Sequence, residues 1–456
     1  MTKEEIDNDR DDMMIDEREQ QGFPLMQCVQ EEFDPEQLKF YYGRLFPYAD
    51  IYKWMSYGND RKHPACDLSY FGRREFSFIL GNDVYLRYQS FNSAAQMENS
   101  IKSKCPFKID IGAVYSVDPA KRNAYAGENA FTPVEKELVF DIDMSDYDDV
   151  RYCCSGANIC QKCWPLMTIA IKVIDSALRE DFGFTHILWV YSGRRGVHCW
   201  VCDARARRLN NAQRAAIADY FHVYKVGNEN SRKKVFLGGP ALHPSLVRSY
   251  QQVLRPFFEE DLLCGQSLLE TEEKFEKILE MIPDESITAK LRGEWLGNHH
   301  RSSNSKEDIN RVRWEKLKSH LQSGKQKWLR RCIEEIIFSY TYPRLDMGVT
   351  KLTNHLLKAP FCVHPKTGRV CVPIDPKHCE EFDPMAVPTL SSLKKELDTP
   401  DLENGEGKKF ESGRTSLDKS LTVFRLFLDP LLKSCKEEME ISYNAKLQQS
   451  KSSLTW

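Results

Sequence analysis

Three stretches in the first third of the chain alternate apolar and polar residues with the period of two expected of half-buried strands: EFSFIL from Glu75, DVYLRYQSF from Asp83 and VEKELVFDIDM from Val134. Ahead of them, EQLKFYYGRLFPY and IYKWM place aromatics at helical spacing, and residues 58–74 read as a loop. MTIAIKVIDSALREDF follows as an amphipathic helix, and HILWVYSGRRGVHCWVCD as two strand runs around a glycine-bounded turn. Strands interleaved with helices predict a mixed α/β (α+β) core. From 207 to 342 the period becomes helical, as in Phe275, Ile278, Leu279 and Ile282, or Leu329, Cys332, Ile333, Ile336 and Ile337. The division predicted is a core over 33–206, a helical subdomain inserted over 207–342, and a second part of the core over 343–393. A polar linker and a C-terminal helix, LTVFRLFLDPLLKSCKEEM, fill 394–456.

Charge and composition narrow this picture. Lys and Arg number 64 against 67 Asp and Glu, a net charge of −3, so any nucleic-acid contact must come from local basic clusters. Nine of the first twenty residues are acidic, and residues 1–32 read as a disordered acidic extension. No apolar run approaches the roughly 18 residues that cross a bilayer, so no membrane association is expected. Fifteen cysteines without a secretion signal point to reduced thiols. Four of them, Cys153, Cys154, Cys160 and Cys163, fall within eleven residues. That is enough for one closed, structural tetrahedral Zn²⁺ site.

In Leu138-Val139-Phe140-Asp141-Ile142-Asp143, a strand turns Leu138, Phe140 and Ile142 to the core and Asp141 with Asp143 to the other face. Two carboxylates about 6.5 to 7 Å apart repel each other, a conflict that a divalent cation such as Mg²⁺ or Mn²⁺ relieves. Asp-x-Asp alone is a common strand end. A third carboxylate, Asp346 in YPRLDMG, completes the set that a two-metal phosphoryl-transfer site needs. Ser192-Gly193-Arg194-Arg195-Gly196-Val197-His198 offers forked donors and close backbone approach to a phosphate. A second basic group, in His355-Leu356-Leu357-Lys358 and His364-Pro365-Lys366-Thr367-Gly368-Arg369, follows Asp346 closely enough to share its site.

These segments, together with YYGRLFPY, REFSF, YLRYQSF, KIDIGAVYS, SDYDDVRYCC, ICQKCW and NHLLKAPFCVHPKTGR, closely resemble the small catalytic subunit of eukaryotic DNA primase, in the archaeo-eukaryotic primase superfamily. The match runs from Phe33 to Ile374. The resemblance implies a primase catalytic core in which Asp141, Asp143 and Asp346 hold two Mg²⁺ or Mn²⁺ ions. Ser192, Arg194, Arg195, His198, Lys358 and His364 would bind the triphosphate of a ribonucleoside triphosphate. Glu75, Tyr85, Arg87 and Asp110 would lie near the nucleotide or its ribose. It implies a nuclear enzyme making RNA primers on single-stranded DNA, paired with an iron–sulfur primase large subunit and joined to the DNA polymerase alpha subunits. Three alternatives stand beside it: a primase-polymerase extending with deoxynucleotides, a non-catalytic zinc-stabilised nucleic-acid-binding subunit, and, from the carboxylates alone, a two-metal nuclease.

Overall fold

The computed structural model of the chain describes residues 34–125, 130–223, 235, 237, 241–297, 307–323, 327–399 and 415–453. The expected acidic extension and most of the expected linker lie outside these residues. Two antiparallel sheets form the centre. The first has strand order β2-β1-β3-β4, built from β1 (Arg74–Ile79), β2 (Tyr85–Gln89), β3 (Lys108–Tyr115) and β4 (Pro133–Glu135). The second has the order β5-β7-β6-β9, from β5 (Leu138–Asp143), β6 (Ile187–Tyr191), β7 (Gly196–Val201) and β9 (Pro373–Ile374). The short β8 (Leu357–Lys358) pairs with β3, so the chain returns to the first sheet after a long helical excursion.

Local chemistry explains the helices that frame the sheets. Asp34 caps the helix Pro35–Arg44 by accepting the Glu36 N–H, and proline occupies its first position. Ser93 caps Ala94–Lys104 in the same way. The helix Pro165–Glu180 buries ten residues, and Asp175 accepts the indole N–H of Trp189 in β6 at 3.1 Å. The segment from Leu417 to Ser453 is one 37-residue helix running through Pro430, far longer than the sequence pattern implies. Its Phe424 meets Trp54 and Phe361 edge to face, with ring centroids 5.7 and 5.3 Å apart.

A buried ion cluster fastens one sheet to the other. Arg74 of β1 holds Glu137, just before β5, through two hydrogen bonds of 2.8 and 2.9 Å. Lys136 donates to the Ile111 carbonyl of β3, and the Tyr57 hydroxyl donates to Glu137 at 2.6 Å. All three charged side chains are fully buried. Burial pushes the Lys136 ammonium down to about 7. Burial acts in the opposite sense on Glu137, but Arg74 and then Lys136 outweigh it and hold that carboxylate down at about 2.

Candidate active site and metal-binding loop

The carboxylate face is set by strand register. β5 and β7 pair without a bulge, with Asp141 opposite His198 and Asp143 opposite Gly196. Leu138, Phe140 and Ile142 are fully buried, while the two aspartates are half-buried. Asp346 stands directly beside them: its N–H donates to the Asp141 carbonyl at 3.1 Å. Its carboxylate caps the short helix Met347–Lys351, accepting the Gly348 and Val349 N–H groups. Arg195 grips Asp143 through Nε and a terminal nitrogen, at 3.0 and 2.9 Å, and His198 Nε2 lies 3.5 Å from Asp141. Asp146, in the single turn Met144–Tyr147, is a further carboxyl at this face. Burial and then the negative charge of Asp143 push it up to about 6, with Asp346 adding to the effect and Arg344 opposing it.

A group of cationic side chains adjoins this face through the turn that carries Arg195 and Gly196. The turn after β6 is closed by Ser192, whose hydroxyl accepts the Gly196 N–H at 3.0 Å. Gly193 has φ +90°, and a Cβ there would come within 2.7 Å of His364 Cβ, so glycine is required on both counts. Thr367 donates to the Gly193 carbonyl, while Cys371 and Lys358 donate to that of Ser192. These contacts bind the second basic group onto the first. The His364 imidazole is held well below its usual range, first by burial and then by Lys358, Arg194, Lys366 and Lys108. Four cationic groups thus converge on one neutral ring, with Asp110 lying 3.5 Å from Lys108. Such an accumulation favours a polyanion. The two adjacent arginines part company: Arg195 turns to Asp143, and Arg194 acts on His364.

The first sheet supplies the remaining residues. Asp110 of β3 lies in register with Ser77 of β1 and Lys358 of β8. Glu75 is fully buried and accepts from Arg87 Nε, the Tyr88 N–H and the Tyr115 hydroxyl. Tyr85, at the start of edge strand β2, is 42% exposed. Val197 and Leu357 are buried in the core, and Leu356 packs over Gly112. The His355 ring turns onto the Leu356 carbonyl.

The four clustered cysteines form the only set among the described residues in which at least three metal-ligating side chains bring their donor atoms within 4.8 Å of one another. The three aspartates do not close to that distance, being held by Arg195, His198 and a helix N-terminus. Hydrogen bonding from Cys163 draws the Cys153 thiol down, and burial pushes that of Cys154 up. Gln266 ties the cysteine loop to the helical segment: its amide N–H donates to Cys153 Sγ and to the Lys162 carbonyl, and its oxygen accepts the Tyr152 N–H. The described cysteines are all free of disulfides.

A family model described as DNA primase small subunit matches residues 140–376, more than half of the chain, and these residues contain Asp141, Asp143 and Asp346 together with Arg194, Lys358 and His364. The chain belongs to the DNA primase small-subunit family. It is similar to the DNA primase small subunits of Drosophila melanogaster (39% identical over 436 residues, 91% of this chain and 96% of the relative) and Schizosaccharomyces pombe (41% over 398 residues, 85% and 83%). The PriS small subunit of Archaeoglobus fulgidus is 30% identical over 177 residues, 36% of this chain and half of the relative. Among the described residues no helix is long and apolar enough to cross a membrane. Sequence reasoning missed Lys108 and Asp146. Lys108 was legible as the residue two before Asp110 on a strand, and Asp146 as the first acid of the SDYDD turn.

Proposed function

We propose that this chain is the catalytic subunit of a DNA primase, a nucleotidyltransferase that joins ribonucleotides into short RNA primers on single-stranded DNA. The observation that carries this reading is the hydrogen bond from the Asp346 N–H to the Asp141 carbonyl. It brings the backbone of Asp346, some two hundred residues away in sequence, against that of Asp141 in the strand-borne pair. Three oxygen-donor side chains on one face suit two hard divalent ions, Mg²⁺ or Mn²⁺, held by Asp141, Asp143 and Asp346. When bound, such ions supply activation of a primer 3′-hydroxyl and charge neutralisation on the triphosphate. Arg194, Lys358 and the neutral His364 bind and orient the phosphates, with Ser192 and Gly193 shaping the turn that carries them. His198 and Arg195 steer the carboxylates of Asp141 and Asp143. Asp110, beside Lys358 and Lys108, is assigned to reading the ribose, with Glu75 fixing Arg87 and Tyr85 at the rim. Cys153, Cys154, Cys160 and Cys163 would hold a structural Zn²⁺.

The relatives are named as small subunits, and the proposed setting follows: a primase large subunit as partner, the DNA polymerase alpha subunits beyond it, and a nuclear location. Purified chain incubated with unprimed single-stranded DNA, Mn²⁺ and either ribo- or deoxyribonucleotides tests the reaction. Short oligoribonucleotides are expected. Products from deoxynucleotides alone would favour a primase-polymerase, and nucleotide-independent cleavage of the template a nuclease.

A further inference from the structure

Asp346 reaches Asp141 and Asp143 only after a chain excursion of some two hundred residues. A carboxylate delivered that way needs an anchor close by, because small displacements of a reacting group are costly to rate. Such an anchor lies just outside the carboxylates on both segments. Tyr147, four residues after Asp143, is fully buried and its phenol oxygen accepts the Arg344 N–H at 2.9 Å. The Arg344 side chain then folds back over the Tyr147 ring, its guanidinium carbon 4.9 Å from the ring centroid. Its fork donates to the Asp146 carbonyl, to the Asp149 carboxylate and, at 3.1 Å, to the Ser339 carbonyl. One arginine therefore ties the turn after β5, the end of the helix Lys327–Thr341 and the irregular segment leading to Asp346 into a single knot.

We infer that Tyr147 and Arg344 are positioning residues that fix the third carboxylate against the strand-borne pair, and so set the affinity of the site for divalent cations. The inference rests on the reading of Asp141, Asp143 and Asp346 as the cation-holding set. The contacts of this pair run to Asp146, Asp149 and Ser339, on the carboxylate side, so nucleotide binding is a separate quantity. Tyr147→Phe keeps the ring but leaves a buried N–H without its acceptor, and Arg344→Lys keeps the charge but loses the fork.

Mn²⁺ binding to the full chain without substrate, followed by the electron paramagnetic resonance signal of the free ion, is the deciding measurement. Both variants are expected to weaken Mn²⁺ binding about tenfold. They should lower kcat 10- to 100-fold at fixed Mn²⁺, with nucleotide KM changed less than threefold and activity recovering as Mn²⁺ is raised. A merely structural loss would lower the melting temperature without moving the Mn²⁺ titration. Wild-type Mn²⁺ binding in both folded variants overturns the inference. If they fail to fold, Asp149→Ala, which removes the outer acceptor of the fork, carries the same expectation and the same refutation. Asp346→Asn separates the two levels. If that variant binds Mn²⁺ and turns over like wild type, the parent reading of the carboxylates fails. If it fails to bind while Tyr147→Phe and Arg344→Lys bind normally, only the positioning role falls.

Discussion

Replacing Lys358 by Met tests the cationic group while keeping the side chain about the same length. Lys358 is 8% exposed, its ammonium donates to the Ser192 carbonyl at 3.4 Å, and after burial it is the largest cause of the depressed His364 imidazole. A charge-assisted hydrogen bond to a phosphate contributes about 1.5 to 3 kcal/mol. Its loss therefore weakens ribonucleoside triphosphate binding about 10- to 150-fold. Calorimetric titration of the resting protein with CTP, without template, measures this free of turnover. The same variant removes a positive charge from beside His364, so the imidazole should titrate closer to its ordinary 6.5. The histidine proton resonance followed against pH reads that directly. Binding weakened by less than threefold, together with an unmoved His364 titration, would refute the argument that these groups form one anion site.

Other consequences divide the site by function. Arg194→Ala should chiefly raise nucleotide KM, whereas Arg195→Ala, which frees Asp143, should chiefly lower kcat; steady-state kinetics at saturating Mn²⁺ tell the two apart. Glu137→Gln leaves the buried Arg74 charge without its partner and, by removing the carboxylate that sustains the Lys136 ammonium, favours the neutral lysine; it should cost about 3 to 5 kcal/mol in unfolding by urea. Because the folded Glu137 sits near 2 against an ordinary 4.5, its contribution is full above pH 4.5 and is lost as pH falls towards 2. The acid limb of the stability curve should accordingly flatten in Glu137→Gln. Cys160→Ser should release a metal ion, which elemental analysis of the purified protein before and after substitution would register.

Much of the site was legible because its chemistry lies in short segments with clear periodicity. Asp141 and Asp143 on one strand, the glycine-bounded arginine turn and the clustered cysteines each follow from spacing alone. Strand β3 escaped pattern reading because Lys108-Ile109-Asp110-Ile111 alternates for only four residues before Gly112-Ala113-Val114-Tyr115 breaks the period, seven of its eight residues being buried. The C-terminal helix, expected through Pro430 as far as Met439, was underestimated at its far end because the polar distal stretch carries no apolar period, although the first half packs on Trp54. The Arg195–Asp143 pair could not be seen in the sequence, since it depends on the register of β5 with β7. Tyr147 and Arg344 are further cases: an ordinary aromatic and an ordinary arginine, 197 residues apart, acquire a role only when the chain folds back.

The central claim is that three distant acids act together beside the cationic group, and Asp346→Asn probes it most directly. Dinucleotide formation from ribonucleotides on unprimed single-stranded DNA, with CTP affinity measured in parallel, is the measurement. The account predicts loss of product by at least a hundredfold with CTP affinity retained. Synthesis within tenfold of wild type would contradict it.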